Sequence, residues 1–249
     1  MSVLALNLIM TIDAIAYMVI TPSLVFYVLD CGGTYEQYGF ALSIFSFASF
    51  LGKPILGAWV DASGNKFRVP YFVSISFAAF GGILYYLADS FKDTPSTAVA
   101  MIIAGRFLGG LGAANQALCY AYLASTVPPS KQTQTSTSLS MTRIIGMAVG
   151  PGFNVFLAKV AGSIDIFGRT FEFNPSNSVG LFLTLGNVLG LVAIAAFLQE
   201  PPQKVQQFGA GTQSQTSAFD WWSKIKALCC LEIVLPMITV FTVNSNFQL

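Results

Sequence analysis

Six apolar runs, at residues 3–29, 38–60, 69–87, 98–124, 139–158 and 178–198, are each about long enough for a helix to cross a bilayer. Only short polar breaks separate most of them, and a seventh run begins near Ala227 and is still apolar at Leu249. Inside hydrocarbon every backbone N–H and C=O must find its partner within the protein, and single runs of this length satisfy that demand as helices. The chain is therefore expected to be an all-α membrane protein whose main partner is the lipid bilayer. Its composition agrees, with 54% of its 249 residues hydrophobic and 9% charged, against about 25% charged in a soluble domain. The first run is too long for a signal peptide and has no small-residue cleavage site at its end.

Several function classes drop out. A net charge of +1 argues against a nucleic-acid partner held through phosphates. The sequence has no histidine, which removes histidine metal sites, Ser-His-Asp hydrolysis and a histidine proton relay. Cys31, Cys119, Cys229 and Cys230 show no metal-binding or disulfide spacing. No cofactor or metal is expected. Cys229 and Cys230 lie beside the seventh run, where palmitoylation is one use and apolar filling the more ordinary one.

The polar breaks give the organisation. Residues 1–198 form a six-helix transmembrane bundle. Residues 199–226 contain Pro201-Pro202 and a Gln/Gly/Ser/Thr-rich stretch, and read as a flexible cytoplasmic linker. Residues 227–249 start a seventh membrane helix behind the interfacial pair Trp221-Trp222. Loops on one side carry Lys66, Arg68, Lys131, Lys204, Lys224 and Lys226, and those on the other carry Lys92, Lys159 and Arg169. The basic excess assigns the first side to the cytoplasm.

Charges inside a membrane helix cost about 2.5–3.5 kcal/mol each on insertion scales, so those that persist mark function or pairing. They are Asp13, Lys53, Arg106, Arg143 and Glu232; Lys53 and Arg143 are close enough to a helix end to snorkel. At about 100° per residue, Asp13, Tyr17 and Thr21 share one stripe of the first helix. Arg106 shares its stripe with Gly109, Gly110, Ala113 and Ala117, and Arg143 aligns with Met147, Gly150 and Asn154. Asp13 and Arg106 lie deepest and are expected to act as one coupled unit. The pairs Gly105/Gly109, Gly146/Gly150 and Gly186/Gly190 favour close helix crossings.

Three motifs stand in a telling order. Gly57-Ala-Trp-Val-Asp61-Ala-Ser-Gly64-Asn-Lys66-Phe-Arg68 joins the second and third runs, Arg106-Phe-Leu-Gly-Gly110-Leu-Gly112-Ala-Ala lies in the fourth, and Gly146-x3-Gly150-Pro151-Gly152 lies in the fifth. Together they resemble the second-loop, fourth-helix and fifth-helix motifs of the major facilitator superfamily, over the length of an N-terminal half plus a seventh helix. Ala62 and Asn65 stand where that family often has basic residues, and Phe153-Asn154 replaces a common Gly-Gly, so the direction of exchange is left open. A narrower resemblance, carried by Gly110-Leu-Gly-Ala-Ala-Asn115, Ala121-Tyr-Leu-Ala124 and Gln199-Glu200-Pro201, is to the branch of the lysosomal ceroid-lipofuscinosis transporter and the phosphate-related vacuolar transporters.

The resemblance implies a secondary transporter for a small molecule or ion, working by alternating access, with proton coupling as one option. It implies three helices plus three in inverted repeat, and a second bundle of the same chain as partner. Asp13, Tyr17, Thr21, Arg106, Arg143, Asn154 and Glu232 would then line a substrate or coupling cavity. Gly57, Asp61, Gly64, Lys66 and Arg68 would form a cytoplasmic gate, and Gly110, Gly112, Gly146, Gly150 and Pro151 would pack helices. The narrower resemblance implies a lysosomal or vacuolar membrane, with the plasma membrane as the alternative. A channel-like conductor and a non-transporting scaffold or receptor are the rival readings; an enzyme has no supporting constellation.

Overall fold

The computed structural model describes residues 2–157, 162–166, 169–173 and 177–201. Within them the chain forms α1 (Ser2–Asp30), α2 (Tyr35–Ala62), α3 (Arg68–Leu87), α4 (Pro95–Ala113), α5 (Asn115–Thr126), α6 (Pro129–Leu157) and α7 (Ser178–Phe197). The expected linker beyond residue 201 and the seventh run with Glu232 lie outside the described residues. Among the described residues five helical stretches are long and apolar enough to cross a membrane: Val3–Asp30, Tyr35–Ala62, Arg68–Phe91, Pro95–Thr126 and Ser178–Phe197. The bundle is all-α, as expected, and α6 is its sixth long element.

Local chemistry sets the helix ends and moves three of the expected boundaries. Thr34 and Gln37 form a reciprocal capping box that starts α2 at Tyr35. The Ser/Thr/Gln stretch expected to be a loop before residue 139 is the first part of α6. Pro129 suits a helix start, Gln132 donates to the carbonyls of Ala124 and Val127, and Thr135, Thr137 and Thr142 return their hydroxyls to carbonyls four residues back. The fourth run, expected as one helix, divides at Ala114. There the Ala114 N–H bonds to Leu111, and the buried Ser74 hydroxyl donates to the Gly112 carbonyl at 2.7 Å. The break places Asn115 at the head of α5, fully buried. Between α6 and α7, where a plain loop was expected, β1 (Gly162–Ile166) and β2 (Arg169–Phe173) pair as an antiparallel hairpin.

Helix pairing follows an internal exchange. α1 packs on α6 as α2 packs on α4, α3 packs on α4 as α1 packs on α7, and α3 meets α7. Counting α4 with α5 as one span, this pattern maps onto itself when spans one to three are exchanged for spans four to six. Absent side chains make the close crossings. A Cβ at Gly81 would stand 2.6 Å from the Gly105 carbonyl oxygen, so α3 and α4 touch backbone to backbone. Gly110 lies against the Phe45 carbonyl of α2, Gly112 against Ala78 of α3, and Gly146 and Gly150 against Thr11–Ala14 and Ile15–Met18 of α1. Pro151 follows inside α6, which continues through it. α3 and α7 run antiparallel and are tied at both ends. Asn177 donates to Asp89 at 3.0 Å, and Glu200 accepts from the first amides of α3.

Two apolar clusters lie toward opposite ends of the bundle. One gathers Leu6, Met10, Val60, Phe67, Tyr122 and Leu139; the other gathers Val19, Leu24, Tyr27, Tyr85, Val99 and Val179. Large side chains such as Leu4, Phe26, Phe50, Ile144 and Val155 point outward and are exposed, which a bilayer accommodates without penalty because its tails are as apolar as they are.

Candidate solute cavity

Between the two clusters, at the middle of α1, the bundle holds a partly open cavity of about 330 Å³. Its existence follows from the stripes read in the sequence. Gly109 and Ala113 leave room along α4, and Asp13 and Tyr17 turn a polar edge of α1 toward that room. Lys53, Arg106 and Arg143 also face it, so three cations oppose one carboxylate among the described lining residues.

Arg106 is 3% exposed. Its guanidinium lies over the Phe45 ring, 4.2 Å from the ring centroid, and the same ring contacts Tyr17 at 5.6 Å between centroids. A cation held on an aromatic face gains electrostatic attraction while keeping its N–H edge free. Here that edge is free: Nε and Nη2 are buried and have no hydrogen-bond partner among the described residues.

Asp13 has a buried Oδ2 that is also unpartnered. The residues that act on its carboxyl are Asn115 and Arg143, although both amide atoms of Asn115 lack a hydrogen bond of ordinary geometry. Asp13 and Arg106 share the cavity but form no ion pair; among the described residues the salt bridge is Lys92–Asp89, at 2.5 Å outside the bundle's middle. The expected coupled unit is thus not what the helix packing produces. α6 lies along α1 and brings Arg143 into the field of Asp13, while the α2 ring of Phe45 occupies Arg106.

Of the other expected lining residues, Tyr17 and Arg143 face the cavity. Thr21 does not; its hydroxyl is bonded to the Tyr17 carbonyl at 2.8 Å. Asn154 is half-buried on α6, away from the cavity lining, and Glu232 lies outside the described residues. Sequence reasoning passed over Phe45, Ser46, Ser49, Gln116 and Asn187, which line the cavity. Asn187 carried a readable signal, as a polar residue in the middle of the apolar α7.

The loop between α2 and α3 is tightly built. Gly64 and Asn65 both take left-handed backbone, with φ of 72° and 62°. Gly and Asn are the residues that enter this region most readily, which gives Asn65 a conformational reason to stand where a basic residue is common. Ser63 bonds the Trp59 carbonyl at 2.9 Å, and the Asn65 amide bonds Val60 at 3.0 Å. Gly57 has open space beside it. Asp61 and Lys66 are exposed, and their side chains make no bond among the described residues. The carboxylate at the α3 N-terminus belongs instead to Glu200, which accepts from the Phe67 amide at 2.8 Å and the Arg68 amide at 2.9 Å. Arg68 reaches the Ala195 carbonyl at 2.6 Å, and Tyr122 bonds the Gln199 carbonyl at 2.7 Å. This end of the bundle is closed by a network that the sequence motif alone did not reveal.

Comparison with known proteins adds an independent finding. The sequence pattern of the Major Facilitator Superfamily matches residues 6–248. The chain is 27% identical over 164 residues to Major facilitator superfamily domain-containing protein 10 of Bos taurus, covering 65% of this chain and 30% of that protein. It is 25% identical over 130 residues to Multidrug resistance protein 1 of Bacillus subtilis (strain 168), covering 52% of this chain and 31% of that one. The chain thus spans less than a third of the length of these curated relatives.

Proposed function

Since this chain belongs to the Major Facilitator Superfamily and is a multi-pass membrane protein, we propose that it forms the N-terminal half of a secondary transporter that moves a small solute by alternating access. The observation that carries this reading is the ionisable cavity at the middle of α1, with an apolar cluster toward each end of the bundle. Such a site suits a solute that is bound part-way through the bundle before release. A second six-helix bundle would complete the walls, and rocking of one bundle on the other would open the cavity to each side in turn.

Asp13 is the residue for a coupled proton in this reading. Its carboxyl faces the cavity beside Arg143 and keeps a buried oxygen unpartnered. The loop from Gly57 to Arg68, locked to Glu200, is the gate element on the cytoplasmic side. The resemblance of Gly110–Asn115 and Gln199–Pro201 to the lysosomal and vacuolar branch supports an organellar membrane, which imaging of a tagged chain against lysosomal and plasma-membrane markers tests.

Proteoliposomes carrying the whole protein should show saturable uptake that is accelerated by solute on the opposite side, because a carrier returns faster when loaded. Unitary currents without saturation would instead make the cavity a pore and sink the carrier reading.

A further inference from the structure

The chemistry of the cavity narrows what it takes. We propose that the side-on edge of Arg106 is an anchor for the carboxylate of a small organic anion, a reading that rests on the cavity being a solute site. Nε and Nη2 are the two guanidinium nitrogens on one edge, spaced to donate two parallel hydrogen bonds to a carboxylate. Both are buried and both lack a hydrogen-bond partner among the described residues. The Phe45 ring under the guanidinium plane holds that edge in one orientation, so the fork is formed before any ligand arrives.

Three features separate this from an arginine that merely packs. A buried cation without its counter-charge is strongly unfavourable, and Asp13, the one carboxylate among the described lining residues, makes no ion pair with it. The lining charge favours anions, with Lys53, Arg106 and Arg143 against Asp13. Gly109 adds no side chain one turn from Arg106 on the cavity wall, where a Cβ would meet nothing closer than the Phe45 ring at 3.8 Å. The rest of the wall is largely apolar, with Met10, Ile20 and Phe50 among it. The complementary ligand is therefore one carboxylate on a compact hydrophobic body. Asp13 faces the same space and disfavours a second negative charge, which makes a monoanion the better fit than a dianion.

The test uses three probes of one size and different charge: benzoate, benzamide and benzylammonium. Each is added at up to about 10 mM to the purified whole protein, a range that captures millimolar affinity, and binding is read by thermal stabilisation and by isothermal calorimetry. Benzoate should bind, and benzamide and benzylammonium should not. Arg106→Gln should weaken benzoate about 10- to 100-fold, the loss of a charge-assisted pair of bonds. Arg106→Lys keeps the charge but has no fork, and should fall between the two. The wild-type comparison of benzoate with benzamide needs no variant, so a poorly folding Arg106→Gln does not decide the matter. Preference for benzylammonium would make Asp13 the anchor and overturn the proposal, as would equal benzoate binding in both Arg106 variants or no benzoate binding at all. Benzoate binding without saturable uptake of any solute into liposomes would retain the carboxylate site and defeat the transporter reading instead.

Discussion

Glu200 is the residue whose removal tests the architecture most directly. Its two carboxylate oxygens accept from the Phe67 and Arg68 amides at 2.8 and 2.9 Å, joining the end of the sixth span to the start of the third. These amides are among the first of α3 and have no intrahelical acceptor, and a negative charge there also meets the helix dipole, worth about 0.3–1 kcal/mol. A hydrogen bond to a charged group contributes about 1.5–3 kcal/mol when buried. Glu200 is exposed, so water recovers much of that, and a total near 2 kcal/mol is the reasonable expectation for Glu200→Ala. A loss of that size shifts a local opening equilibrium by roughly 30-fold. Glu200→Gln keeps one acceptor oxygen and should lose about half as much free energy. Hydrogen exchange followed by mass spectrometry on the whole protein, in the peptide spanning Phe67 and Arg68, measures this directly. Protection should drop in both variants in that order, while peptides from the far end of α3 near Tyr85 keep theirs. Unchanged protection in both would mean that the carboxylate does not hold the helix, and the closed network at this end would have to be abandoned.

Four further outcomes follow from particular contacts. Gly81→Ala forces α3 away from α4, because its Cβ would sit 2.6 Å from the Gly105 oxygen; overpacking of about 1–3 kcal/mol less up to about 1 kcal/mol of helix propensity leaves a net loss, whereas Gly57→Ala, with open space beside it, should unfold no earlier than wild type in detergent. A double-mutant cycle of thermal stability should find coupling of about 0.5–3 kcal/mol between Asp13→Asn and Arg143→Gln but little between Asp13→Asn and Arg106→Gln; the reverse ranking would restore the Asp13–Arg106 unit. Burial pushes the Cys31 thiol up to about 11, leaving about a hundred-fold less thiolate near neutral pH than an ordinary cysteine holds, so labelling by an impermeant maleimide should be slow at pH 7 and climb about ten-fold per pH unit. Rapid labelling at pH 7 would show that the turn opens, and labelling only from the cytoplasmic face would reverse the assigned orientation. Asp61→Asn, at an exposed side chain, should alter stability by less than about 0.5 kcal/mol yet slow turnover; a well-expressed variant with normal rates leaves the loop a simple turn.

Much of this molecule is decided by length and apolarity along the chain. Each run long enough to span a bilayer has to be a helix, because no water is present inside the membrane to satisfy a strand edge or a loop. The six-helix bundle, the short turn at Gly64 and the small-residue crossings at Gly110, Gly146 and Gly150 follow from one-dimensional information of that kind. Helical spacing also puts Asp13 and Tyr17 on one face of α1, since residues about one turn apart share a face, whereas the expectation that Arg106 and Arg143 face the same space comes from the family resemblance.

What surrounds each of those side chains is a different matter, because it depends on which helix arrives and at what height. Nothing in the spacing of α1 and α4 says that α2 lays Phe45 across Arg106, or that α6 places Arg143 within electrostatic reach of Asp13. The split at Ala114 was equally hidden. It involves Ser74, which lies on another helix and takes the Gly112 carbonyl. The carboxylate at the head of α3 comes from a residue 133 positions away from Phe67, while the nearby Asp61 is exposed. Local pattern determines which segments cross the membrane and which faces are polar, since both depend on neighbours along the chain. Tertiary packing alone decides which charges meet, because a partner brought from another helix is set by three-dimensional register.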